Sequence, residues 1–114
     1  MKLTLILSIF ELMVAKILIA DDHELFRETL INALKTYFPN SNFDQAGSGK
    51  EVLDVVESSI PDIIILDIDM PEINGLHTLK LLKQQEISSK VLILTAKKAK
   101  EFIYIAKQYK ANGF

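Results

Sequence analysis

Apolar positions in this chain fall into short dense runs, separated by longer stretches where they recur every three or four residues. Ala15–Ala20, Ile63–Leu66 and Val91–Thr95 are runs of mostly branched side chains with little alternation. A strand with one wet face alternates apolar and polar positions, so these runs predict strands buried on both faces. Asn42–Ala46 is a shorter and more weakly patterned strand. Between them the period becomes helical. The first helix is expected over Glu24 to Phe38, with Phe26, Leu30, Ala33, Leu34 and Tyr37 inward and Glu28, Asn32 and Lys35 outward. Pro39-Asn40 ends it. Ser48, with Glu51 three residues on, resembles a capping box and opens a helix through Val52, Leu53, Val55 and Val56, before Pro61 breaks the chain. Asn74-Gly75 is a turn signal. Leu76, Leu79 and Leu82 then mark a helix to about Gln85, and a last helix runs from about Lys98 to Lys110.

Strand and helix in strict alternation predict an α/β domain, with parallel strands joined by right-handed crossovers and helices on both faces. Phe114 stands where a fifth strand would begin, so an edge of the four-stranded sheet is expected to lie open. At 114 residues the chain holds one hydrophobic core. Residues 1–12 read as an upstream extension, with Met13 as the natural start. Lys2 and the apolar run Leu3–Phe10 mimic the start of a signal peptide, but no small-residue cleavage site follows. The run is also too short to span a bilayer, so the expected location is cytoplasmic and no membrane is involved. A net charge of −2 gives no basic stripe for nucleic acid, and the absence of cysteine excludes thiol chemistry and disulfides.

The candidate chemistry lies where two apolar runs stop. Ile63–Leu66 ends in Asp67-Ile68-Asp69-Met70-Pro71, and Ala15–Ala20 ends in Asp21-Asp22. The carboxyl ends of parallel strands are where such sheets bind ligands. Carboxylates gathered there raise each other's pKa, and a divalent cation relieves that repulsion. An all-oxygen donor set favours Mg²⁺, whereas two histidines and no cysteine give no zinc cluster. A metal beside a carboxylate is also what phosphoryl transfer needs, and carboxylate nucleophiles form aspartyl phosphates. His23 reads as a helix-entry residue, and Lys97, Lys98 and Lys100 as a solvated helix start. Gly47-Ser48-Gly49-Lys50 lacks the upstream glycine of a phosphate loop.

Lys16-Ile17-Leu18-Ile19-Ala20-Asp21-Asp22-His23, Pro61-Asp62-Ile63-Ile64-Ile65-Leu66-Asp67-Ile68-Asp69-Met70-Pro71 and Asn74-Gly75-Leu76 together resemble the receiver domain of bacterial two-component response regulators. Val91–Ala96 and Ala111-Asn112-Gly113-Phe114 extend the likeness, which runs from about residue 14 to the end. The Asp-Asp-His start and the Ala-Asn-Gly-Phe ending look most like the NarL/LuxR-type subgroup. The resemblance implies a flavodoxin-like doubly wound sheet of order 2-1-3-4, with the fifth strand and the helix after it missing. It implies that residues 13–114 are a receiver domain incomplete at its carboxyl end. Asp67 would be the phosphate acceptor, charged by a histidine kinase or a phosphotransfer protein. Asp22, Asp67 and the Asp69 backbone carbonyl would bind Mg²⁺, with Asp21 acting through water. Thr95 would hydrogen-bond the phosphoryl oxygens, and Phe114 would be the switch aromatic.

In the family a lysine follows the position of Phe114, and the subgroup carries a helix-turn-helix, so no direct DNA contact is expected of this chain. An open sheet edge or the last helix could join two copies in a homodimer. Asp69 and Lys97, each two residues past a site residue, would flank the phosphoryl group and tune its lifetime. Two rival readings stand beside this one. The first is a degenerate receiver acting as a phosphorylation-independent docking module. The second is a haloacid-dehalogenase-like phosphatase, which shares Asp-x-Asp after an apolar strand but normally opens with it.

Overall fold

The computed structural model describes residues 14–94 and 111–112. Its four strands are β1 (Lys16–Ala20), β2 (Asn42–Ala46), β3 (Ile63–Leu66) and β4 (Lys90–Ile93). Three helices alternate with them: α1 (Glu24–Tyr37), α2 (Gly49–Ser58) and α3 (Gly75–Gln84). All strand pairs are parallel, as expected from the pattern, and the sheet order is β2-β1-β3-β4, the doubly wound order that the resemblance implies. The last expected helix, with Thr95, Lys97 and Phe114, lies outside the described residues.

Both faces of the sheet are apolar because successive side chains of β1 and β3 point to opposite layers and both are covered. Leu18, Ala20, Ile64, Leu66, Val91 and Ile93 pack under Val52 and Val56 of α2 and Leu76, Leu79 and Leu82 of α3. Ile17, Ile19 and Ile65 face the other layer, where α1 lies. The inward stripe of α1 differs from the one expected. Ile31 is its buried residue, Leu30 and Leu34 are partly buried, and Phe26, Ala33 and Tyr37 are exposed. Positions 27, 30, 31 and 34 form one face at helical spacing, and Ile31 in its centre turns that face away from Tyr37.

Helix ends follow local side-chain chemistry. Ser48 Oγ accepts from Glu51 N at 3.2 Å, half of the expected capping box. The return bond is offset by one residue, since Glu51 Oε2 accepts from Gly47 N. Asn74, read from sequence as part of a turn, caps α3 by accepting from His77 N at 2.9 Å. The other end of α3 closes with Glu86 N donating to Lys83 O and Ile87 N donating to Leu82 O, both at 3.1 Å. This is a Schellman closure, and it places Glu86 at φ 56°, where glycine is favoured. Glu86→Gly is therefore expected to stabilise the fold by up to about 1 kcal/mol, read as a thermal midpoint a few degrees higher.

The outer edge of β4 is met at Val91. Asn112 N donates to Val91 O at 2.7 Å, and Asn112 Oδ1 accepts from Val91 N at 2.8 Å.

Candidate functional site

The register of the sheet sets the site. Ala20 pairs with Leu66, so the first residues past β1 and β3, Asp21 and Asp67, emerge side by side. Asp67 N donates to Ala20 O at 2.9 Å, and Asp21 N donates to Ala46 O at 3.1 Å. Three strand ends are thereby tied together at the acidic edge. Asp21 and Asp67 line one narrow cleft with Phe26, Leu30, Ile65 and Leu94.

Asp21 is buried, Asp67 partly buried, and Asp22 exposed. Burial pushes the Asp67 carboxyl up to about 6, and the nearby charge of Asp21 pushes in the same direction. Hydrogen bonds from the Asp69 and Ile68 backbone oppose that shift without cancelling it. Asp69 itself is exposed on the turn beyond β3.

One neighbour carries more than the sequence suggested. His23 is the helix-entry residue of α1, as expected, but it makes no side-chain cap bond. Its Nδ1 instead lies 3.0 Å from Asp21 Oδ1 and 2.8 Å from Asp22 Oδ1. The hydrogen bond with Asp21 and the charges of both aspartates raise its pKa above the ordinary value. Among the described residues, Asp21, Asp22 and His23 form a group whose ligand atoms lie within 4.8 Å of one another. The structure thus gathers the acidic pair around an imidazole, with Asp67 on the adjoining strand end.

Arg27 was not expected here at all. Its Nη1 donates to Asp21 O at 2.6 Å and its Nε donates to Gln45 Oε1 at 2.9 Å. A cation close to the amino-terminal end of a helix opposes the macrodipole. That is the one local cue that Arg27 serves a tertiary contact.

Beyond the acidic edge, the turn after β3 folds back under α3. Met70 N donates to Ile68 O at 3.1 Å, and Gly75 N donates to Ile68 O at 2.8 Å. The start of α3 therefore lies directly against the backbone that carries Asp67.

Comparison with known proteins decides the family. The model of the response regulator receiver domain matches residues 17–114. The chain belongs to this family. It is 35% identical over 102 residues to the nitrate/nitrite response regulator protein homolog of Haemophilus influenzae, covering 87% of this chain and 48% of that protein. It is 32% identical over 101 residues to the nitrate/nitrite response regulator protein NarL of Escherichia coli, covering 88% and 46%. Thus the chain spans about half the length of the curated relatives it matches. Among solved structures, the chemotaxis protein CheY4 of Vibrio cholerae superimposes with a TM-score of 0.79 at 26% identity, over 89% of this chain and 84% of that one. Receiver domains are signalling domains. No described helix is long and apolar enough to cross a membrane.

Proposed function

We propose that this receiver domain accepts a phosphoryl group on Asp67 from a phosphohistidine of a kinase or phosphotransfer protein. The observation that carries this reading is the position of Asp67. It is a partly buried carboxylate at the carboxyl end of a central strand, beside a second buried acid, with its pKa raised to about 6. A carboxylate so placed is short of solvation and lines the cleft at the sheet edge. An Asp67 oxygen would form the new O–P bond as the N–P bond of the donor breaks, and the departing imidazole would take its proton from solvent.

The donor set fits a hard divalent cation. Two acids of one turn and a third on the adjoining strand leave negative charge that no described lysine or arginine side chain pairs with by an ion pair. Asp22, Asp67 and the Asp69 carbonyl would hold Mg²⁺, with Asp21 acting through water. When bound, the ion supplies charge neutralisation between the carboxylates and the incoming phosphoryl oxygens. His23 Nδ1 lies against one oxygen of each of Asp21 and Asp22. Thr95 and Phe114 would complete the phosphoryl-sensing path, and Asp69 and Lys97 would flank the phosphoryl group.

Labelling with acetyl phosphate tests the reading. The full chain should take up one phosphoryl group in Mg²⁺, none in EDTA, and none as Asp67→Asn. Absence of Mg²⁺-dependent labelling in the folded wild-type chain would leave the phosphorylation-independent docking module as the surviving reading.

A further inference from the structure

We infer that Arg27 is a positioning residue for the cation site, bracing the acidic turn through its main chain and not through the charge it carries. The inference rests on the proposed reading of the acidic edge as a Mg²⁺ and phosphoryl site. Arg27 sits one turn into α1, beside Asp21, yet its guanidinium makes no ion pair with an acidic side chain among the described residues. Nη1 takes the Asp21 carbonyl and Nε takes the Gln45 side chain on β2. A planar fork makes two such bonds in fixed directions, which a lysine ammonium on a flexible stem does not reproduce.

Those contacts complete a frame around one residue, Asp21. Asp21 N donates to Ala46 O on β2, Asp21 O accepts from Arg27, and Asp21 Oδ1 accepts from His23 N at 2.7 Å. The turn from Asp21 to His23 is therefore fixed at its first residue from β2, from α1 and from within. Gly47 lies in the same frame, since a Cβ there would approach Arg27 Nη1 and Glu51 Oε2 to 3.4 Å, ordinary contact. The guanidinium is thus packed between the turn after β1 and the turn after β2. Residues that orient metal ligands without touching the metal typically change affinity by about 10–100-fold when removed.

The sign of the effect separates a brace from a charge. A nearby cation repels Mg²⁺, so if Arg27 acted by charge alone, Arg27→Ala would bind Mg²⁺ more tightly. As a brace, its loss releases the acidic turn, and Mg²⁺ binds about tenfold more weakly. Arg27→Lys keeps the charge and loses the fork, so it should also weaken binding, to a similar extent. Gln45→Met removes one acceptor at similar size and should weaken binding less. Combined with Arg27→Ala it should add nothing further, because both act through one contact.

Calorimetric Mg²⁺ titration and acetyl-phosphate labelling of the full chain, with thermal melts of each variant, make the test. Weaker Mg²⁺ binding in Arg27→Ala and Arg27→Lys, with labelling restored by raised Mg²⁺, is the expected result. Unchanged or tighter binding in either variant overturns the inference while leaving the site intact. If Arg27→Ala does not fold, Arg27→Lys and Gln45→Met decide by the same criterion. A folded wild-type chain that neither binds Mg²⁺ nor takes label overturns the underlying reading instead.

Discussion

Gly75→Ala is expected to cost about 3 kcal/mol, at the upper end for overpacking a tight contact, and to lower the thermal midpoint by more than about 10 °C. A Cβ on Gly75 would stand 2.0 Å from the Asp67 carbonyl oxygen, 2.7 Å from its carbonyl carbon and 2.7 Å from Ile68 Cα. All three are backbone atoms of the turn after β3, so no side chain can swing aside. Gly75 has no positive φ, which makes space and not backbone freedom the reason for glycine here. Relief requires α3 to retreat or the Asp67-Ile68 peptide to move. Retreat breaks the Gly75 N–Ile68 O bond and strips cover from buried Leu76, Leu79 and Leu82. Movement of the peptide displaces the carboxylate that the site is built on. Any folded fraction should therefore also label poorly with acetyl phosphate. Gly47→Ala is the control, since its Cβ would meet only side-chain atoms at 3.4 Å and should change stability by less than about 0.5 kcal/mol. Equal melting of the two variants would refute the argument.

That contact shows where sequence reading stops. Asn74-Gly75 was legible as a break in the chain, because its residue types act locally. Its tertiary reason, a helix start seated on the Asp67 carbonyl, spans two elements and leaves no local pattern. The sheet was legible for the opposite reason. Runs such as Ile63–Leu66 need cover on both faces, which helices packed on either side of a parallel sheet supply. The inward face of α1 is not legible in its sequence because apolar residues nearly encircle the helix, and the fold buries Ile31 while Tyr37 stays exposed. Asp67 was legible as a candidate from its position after a buried strand. Arg27 was missed because its partners, Asp21 and Gln45, are joined to it only by the fold.

Asp67→Asn is expected to abolish labelling and, in the absence of a divalent cation, to make the protein more stable. The ordinary Asp67 value is 3.8 and the folded value is about 6, raised first by burial and then by the charge of Asp21. Between those values the folded chain holds the proton more often than the unfolded chain does. Stability therefore falls as pH rises through that window and stays lower above it. Asparagine carries no charge to desolvate and escapes this cost. Because the carboxyl is only partly buried, solvent screens much of the penalty, and a gain of roughly 1 kcal/mol is expected at about pH 8 in EDTA. Below about pH 4 both side chains are neutral in the folded state, and the two melting curves should converge. On the proposed reading, saturating Mg²⁺ should reverse the order, since it would stabilise the wild-type chain by binding it and would have lost a ligand in the variant. The same proton should compete with Mg²⁺, so both cation affinity and labelling rate should decline as pH drops below about 6. Melts of the two proteins across pH, with and without Mg²⁺, check each step. A variant less stable than wild type in EDTA at every pH would show that the Asp67 charge is not held against a desolvation cost.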